Sequence, residues 1–136
     1  MHLKDQVLPK REDFFAFAND YPADTPVVMI NILRFKDKSG KGEESGREAY
    51  GRYSKNVAPL LAKVGGKVLW AGNVNQTVIG DTVDQPDTVL IVQYPSKQAF
   101  ISMSTSDEYR AISEDREIAL EYGGLLASST INPAVE

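Results

Sequence analysis

The chain has 136 residues, with 15 Lys and Arg against 19 Asp and Glu, a net charge of −4, one His and no Cys. That length suits one domain, able to bury roughly two-thirds of its unfolded surface without a covalent staple, and 42% hydrophobic with 25% charged residues is an ordinary globular balance. Without Cys there is no disulfide framework, thiolate metal site or cysteine nucleophile, and with His2 as the sole histidine a His-ligated metal and a Ser-His-Asp triad are excluded within one chain.

Ten basic and nine acidic side chains fall in residues 1–56, and five basic and ten acidic ones in 57–136. No segment gathers the cations that a phosphate backbone or an anionic bilayer surface needs, so neither nucleic acid nor membrane is expected as a partner. No apolar run approaches the ~20 residues of a spanning helix. The polar start, Met1 to Gln6, is unlike a secretory signal, and the expected location is cytoplasmic.

In chain order, residues 1–25 read as an arm and a short helix, 26–131 as one domain and 132–136 as a tail. Pro9 suits the first turn of a helix reaching about Ala18, whose Phe14, Phe15 and Phe17 need cover. Val27 to Phe35 is apolar on both alternating faces, the mark of a strand buried on two sides. After a polar loop, Ser45 and Glu48 form a capping-box pattern opening a helix. Its stripe is Tyr50, Tyr53, Val57, Leu60, Leu61 and Val64, with a kink or break expected at Pro59 and a stop at Gly65-Gly66. Lys67 to Ile79 reads as a long strand with a bulge or bend at Gly72. Val68 and Trp70 share one of its faces, Leu69 and Ala71 the other. Thr88 to Tyr94 is its hairpin partner across a loop holding Asp81, Asp84 and Asp87, which reads as solvated turn chemistry rather than a calcium site. Pro95-Ser96 opens a second helical region, which restarts near Thr105-Ser106 and runs to Gly123-Gly124. Leu125 to Ile131 closes the series as a strand.

This order predicts an α+β fold, the ferredoxin-like βαββαβ arrangement, with an antiparallel sheet and two helices on one face plus an extra amino-terminal helix. Val28, Ile30 and Ile32 oppose Val27, Met29 and Leu33, and Val89 and Ile91 oppose Leu90 and Val92; two helices cover only one of these faces and leave half a dozen aliphatic residues bare on the other. A second copy packed sheet to sheet is the simplest cover, and the amino-terminal helix is the rival.

Val28-Met29-Ile30-Asn31-Ile32-Leu33-Arg34-Phe35, Ala49-Tyr50-Gly51-Arg52-Tyr53, Pro59-Leu60-Leu61 and Gly65-Gly66-Lys67-Val68 are the first half of a further pattern. It continues through Ile79-Gly80-Asp81, Tyr94-Pro95-Ser96, Ala99-Phe100, Glu108-Tyr109 and Arg116. Together they resemble a bacterial family of uncharacterised domains in the dimeric α/β-barrel superfamily, over about residues 27 to 128. The chain departs from that family at Gln85-Pro86-Asp87, where a Trp usually precedes the Asp. The resemblance implies the fold and a homodimer whose two sheets form a barrel, and no particular reaction. The wider superfamily includes cofactor-independent monooxygenases, lactone isomerases and haem-handling enzymes.

Asn31 is the polar residue in an apolar strand and either ties two elements together or faces a ligand. Tyr50 and Tyr53 sit one turn apart, as packing rings or as phenols for a ligand oxygen and, in an enzyme, as acid or base. Trp70, Tyr94 and Tyr109 are core residues or line the same crevice. Arg34 suits a surface ion pair or a carboxylate fork. Arg116, between Ile112 and Ala119, pairs with Asp115, Glu108 or a partner subunit, or anchors a ligand. The candidate pocket is therefore Asn31, Tyr50, Tyr53, Trp70, Tyr94 and Arg116, with no metal or cofactor expected. The readings that remain are a cofactor-independent enzyme acting on a small, partly apolar molecule, a non-catalytic binding module, and an interaction protein.

Overall fold

The two-sided alternation of Val27–Phe35 forms the strand β1 in the computed structural model, which describes residues 6–131. Around it lie β2 (Lys67–Asn73), β3 (Thr88–Tyr94) and β4 (Leu120–Ser128). They make one sheet of order β2-β3-β1-β4, antiparallel at every pairing. The helices are α1 (Arg11–Asp20), α2 (Gly46–Lys63), α3 (Lys97–Ser104) and α4 (Asp107–Ala119). The arrangement is ferredoxin-like, with the second crossover helix split in two.

Local chemistry sets most of these boundaries. The Ser45 amide donates to Glu48 Oε1 (2.9 Å) and the Glu48 amide to Ser45 Oγ (3.0 Å), a closed capping box at the start of α2. The helix runs through Pro59 without a break and ends where Gly65 takes a φ of +82°. Ser96 and Ser106 each accept an amide hydrogen bond three residues on, so the chain stops after α3 and restarts as α4.

Four expectations are corrected. First, β2 ends at Asn73 instead of Ile79: the Val74 amide still reaches the Asp87 carbonyl (2.9 Å), but Asp87 is otherwise bound to β1. The Asp87 amide donates to the Leu33 carbonyl (2.8 Å), and its Oδ2 accepts the Phe35 amide (2.7 Å). Asp87 is thus a tie between strands, and Asp81 caps a 3-10 turn at Thr82–Asp84. Second, the register shift lies between Val68 and Trp70 rather than at Gly72. It reverses their parity: Val68 pairs with Val92 and Trp70 with Ile91, so the two fall on opposite faces. The Trp70 ring lies over Gly72, where a Cβ would come within 2.4 Å of it. Third, α4 stops at Ala119, whose carbonyl accepts the Lys36 amide (2.9 Å), and Gly123 and Gly124 lie inside β4. Fourth, α1 does not cover the bare face. Phe17 packs edge-on against Phe100 (5.8 Å), Lys97 Nζ donates to the Ala18 carbonyl (2.6 Å), and Tyr21 joins the cluster around Met103.

The covered face holds two apolar clusters. One gathers Leu33, Ala49, Tyr50, Tyr53, Ala119 and Leu120, and the other gathers Val27, Met29, Val92, Tyr94 and Met103. On the opposite face Val28, Ile30 and Ile32 of β1 stand beside Val89 and Ile91 of β3, with Leu126 of β4 and Trp70 of β2. Trp70 and Leu126 are 55% and 53% exposed.

Candidate functional site

The first cluster brings phenols together in a buried layer, with a cation at its edge. Tyr50 and Tyr53 face the sheet because the α2 stripe does, with their rings 5.3 Å apart. Phe35 packs edge-on against Tyr50 (5.5 Å), and Tyr109 of α4 against Tyr53 (6.1 Å). The Tyr53 and Tyr109 hydroxyls lie 2.8 Å apart, a hydrogen bond joining α2 to α4. Burial pushes the Tyr50 phenol up to about 12, with the Arg116 charge working against the rise. Tyr53 is pushed well above the usual phenol value, chiefly by burial and then by Tyr109. Tyr50 and Tyr53 therefore stand as neutral phenols at physiological pH, able to donate hydrogen bonds and not to serve as phenolate bases.

Asn31 lies on the covered face between β3 and β4, where its Nδ2 donates to the carbonyls of Leu90 (3.2 Å) and Met29 (3.3 Å). Its amide serves as a tie to the neighbouring strand. Tyr94 belongs to the second cluster, edge-on to Phe100 (5.1 Å), and burial raises its phenol strongly. Tyr109 touches both clusters and links the two ends of the layer. Trp70 lies across the sheet and shares no crevice with these residues.

Arg116 has different partners from those its sequence neighbours suggest. Its Nη1 donates to the Val7 carbonyl (2.6 Å) and its Nη2 to the Gly123 carbonyl (3.2 Å). Asp115 instead pairs with Arg52, and Glu108 with Lys63. Residues 6–8 run along the free edge of β4, with Gln6 bridged to Tyr122 and the Gly123 amide donating to the Gln6 carbonyl (2.9 Å). The Val7 side chain tucks against the first cluster and closes the layer at that edge. Arg34, on the bare face, grips the β2–β3 loop through the carbonyls of Val83 (2.7 Å) and Gln85 (2.6 Å) and lies 3.7 Å from Glu121.

Sequence reasoning missed two features. One is the Arg52 network, in which the guanidinium forks onto Asp115 (2.9 and 3.0 Å) and also binds Glu44, whose other partner is Ser39 (2.6 Å). The other is the Val7 plug. No local pattern marks either, since each joins residues far apart in the chain. Among the described residues no three His, Asp or Glu side chains gather as a metal site. A shallow groove of about 70 Å3 lies elsewhere, between Leu60, Lys63 and Val64 of the α2 end and Met103, Ser106 and Glu108.

Residues 44–128 match the model of a family described as a domain of unknown function, DUF1330. No curated protein matches the chain. The chain is similar to RPA0582, a protein of unknown function from Rhodopseudomonas palustris, at 32% identity and a TM-score of 0.86, covering 94% of this chain and 98% of that one. A dimeric protein of unknown function with a ferredoxin-like fold from Bacteroides fragilis is 12% identical with a TM-score of 0.52, over 80% of this chain and 100% of that one. SnoaB, a cofactor-independent oxygenase from Streptomyces nogalater, is 9% identical with a TM-score of 0.52, over 82% and 99%. The last two show likeness of fold alone.

Proposed function

The chain belongs to the DUF1330 family, and from its geometry we propose that it works as a homodimer that binds a small, partly apolar molecule against the tyrosine layer. The observation that carries this reading is the polar set inside an apolar layer: the Tyr53–Tyr109 hydroxyl pair at 2.8 Å, with Tyr50 beside it and Arg116 at the edge. Few polar groups converging among apolar walls is the usual composition of a small-molecule site. Neutral phenols suit donation to a ligand carbonyl or ether oxygen. Proton abstraction, which a cofactor-independent oxygenase or isomerase would ask of them, needs a phenol below its ordinary value, and burial moves these the other way. Binding is the better supported role.

The assembly rests on the bare face. Ile30, Ile32, Ile91, Trp70 and Leu126 form a contiguous apolar surface on the central strands, and α1 leaves it uncovered. Burying one such side chain fully is worth ~1.5–3 kcal/mol, so a second copy of the same face gains several-fold that amount. The described dimeric state of the Bacteroides fragilis protein of the same fold supports this arrangement.

Two measurements test the reading. Light scattering at micromolar concentration should return twice the chain mass. Acetophenone, a neutral aromatic ketone, should raise the thermal midpoint of the wild-type protein. The rise should shrink in Tyr53→Phe, which keeps the ring and loses the donor. A monodisperse single chain would overturn the dimer, and acetophenone stabilisation indifferent to Tyr53→Phe would overturn the tyrosine layer as its site.

A further inference from the structure

We propose that Arg116 is the anchor of a carboxylate-binding site which the amino-terminal strap occupies in this structure, and that the ligand is a small apolar carboxylic acid. Its carboxylate would replace the Val7 carbonyl on Nη1, and its apolar body would replace the Val7 side chain. This inference rests on the reading above and names the chemical class of the molecule that the tyrosine layer takes.

Three observations converge on it. Arg116 is a half-buried cation that donates to neutral carbonyls, those of Val7 and Gly123. Among the described residues no acid near it in sequence pairs with it, and several are engaged elsewhere: Asp115 with Arg52 and Lys41, Glu108 with Lys63, Asp107 with Arg110. A guanidinium is built to hold a carboxylate in a two-pronged bond, and charge-assisted bonds are roughly twice as strong as those to neutral acceptors. An acid arriving there therefore gains over the carbonyl it displaces.

The strap is also lightly held. Beyond the Arg116 bond, the Gly123 amide donates to the Gln6 carbonyl (2.9 Å) and Val7 touches the first cluster, while Gln6 and Leu8 are exposed. Val7 presents a carbonyl to the arginine and a branched apolar group to the aromatic layer, which is the outline of the ligand proposed. Finally, β4 is shaped for the guanidinium. A Cβ at Gly123 would lie 2.8 Å from Arg116 Nη2, so a glycine leaves the space in which the fork rests. Val7 packs against the same cluster as Tyr50 and Phe35, and there an aromatic or aliphatic acid would lay its body.

The test compares benzoate with the neutral acetophenone on the full-length protein, reading affinity by calorimetry and exchange of the Gly123 amide by NMR. Benzoate should bind about 10-fold or more tightly than acetophenone, and Arg116→Gln should abolish that preference. Benzoate should also speed exchange at Gly123, whose amide loses the Gln6 carbonyl as the strap lifts. Should Arg116→Gln fail to fold, Arg116→Lys keeps the charge without the fork and should retain only part of the preference. Val7→Gly, which loosens the strap, should tighten benzoate binding. Equal affinity for the two probes, a preference indifferent to Arg116→Gln, or an unchanged Gly123 amide with benzoate bound would each overturn the inference while leaving acetophenone binding intact. Failure of both probes to bind would overturn the reading beneath it as well.

Discussion

The two faces of the sheet are made by the same strands and end in opposite states. Alternate residues of β1 and β3 that point to the helices, Val27, Met29, Leu33, Val92 and Tyr94, retain at most 6% of their surface. Those pointing the other way are as aliphatic but only half-covered, and Trp70 and Leu126 keep more than half. The covered face carries the tyrosine cluster and the hydroxyl pair, whereas the bare face is mainly aliphatic, with Trp70 laid over Gly72 and Tyr122 over Gly124. Hydrophobic patterning thus specifies two burials, and one chain supplies cover for one of them. The strongest way to break the comparison is to charge the bare face. Ile30→Asp, at the centre of β1, should abolish the proposed dimer at micromolar concentration and leave a folded single chain by circular dichroism and light scattering. A dimer that survives Ile30→Asp would mean the bare face is covered in some other way.

Neighbouring residues on β1 sharpen the contrast. Leu33 is fully buried among Tyr50, Tyr53 and Leu120, while Ile32 beside it faces outwards. In the single-chain background made by Ile30→Asp, Leu33→Ala should cost ~2–5 kcal/mol in urea unfolding, with Ile32→Ala costing about 1 kcal/mol or less. Equal costs would show that the outward face is packed by something within the chain.

The covered face should also reveal itself in alkali. Tyr50 sits at about 12 against an ordinary 10.0, so between those values the unfolded chain loses its phenolic proton while the folded one keeps it. Stability is therefore complete below pH 10 and falls as pH rises towards 12, by roughly 2–3 kcal/mol from this group. Tyr53 and Tyr94 shift in the same direction and add to the fall. Tyr50→Phe should flatten part of the alkaline limb of the urea midpoint. An unchanged limb would mean that the layer admits water.

What could be read in advance follows from the range of each signal. The capping box at Ser45 and Glu48, the two-sided run of β1 and the restart at Ser106 are local patterns, and each stands where its residues predict. The ferredoxin-like order follows from them. The parity of Trp70 was not legible, because one extra residue at the Val68/Trp70 shift moves it to the other face and nothing nearby marks that position. Likewise Ala119 ends α4 because a distant amide, that of Lys36, claims its carbonyl. Of the candidate site, the tyrosine stripe was visible as helical spacing, yet the partners of Asn31, Arg52 and Arg116 are chosen through space. Arg116 reaches Val7 across 109 positions, and no periodicity encodes such a contact.

The smallest effect belongs to the solvent side of the covered layer, where Arg52 of α2 holds Asp115 of α4 and Glu44 of the preceding loop. Hydrogen bonding to Arg52, then to Ser39, lowers the Glu44 carboxyl from 4.5 to about 2, and Arg52 lowers Asp115 as well. A depressed carboxylate contributes stability that is present above its ordinary range and lost as pH falls through the folded value. The window for Glu44 is thus pH 4.5 down to about 2. The carboxylates are half-buried but Arg52 keeps 38% of its side chain exposed, so screening keeps the contribution small, and added salt should shrink it further. Arg52→Met should lower neutral-pH stability slightly, and by that same amount flatten the acid limb of the unfolding midpoint within that window. If instead the acid limb is set by separation of two bare faces, the same variant will leave it as steep as the wild type, and the limb will depend on protein concentration. The two outcomes say which of the two burials fails first in acid.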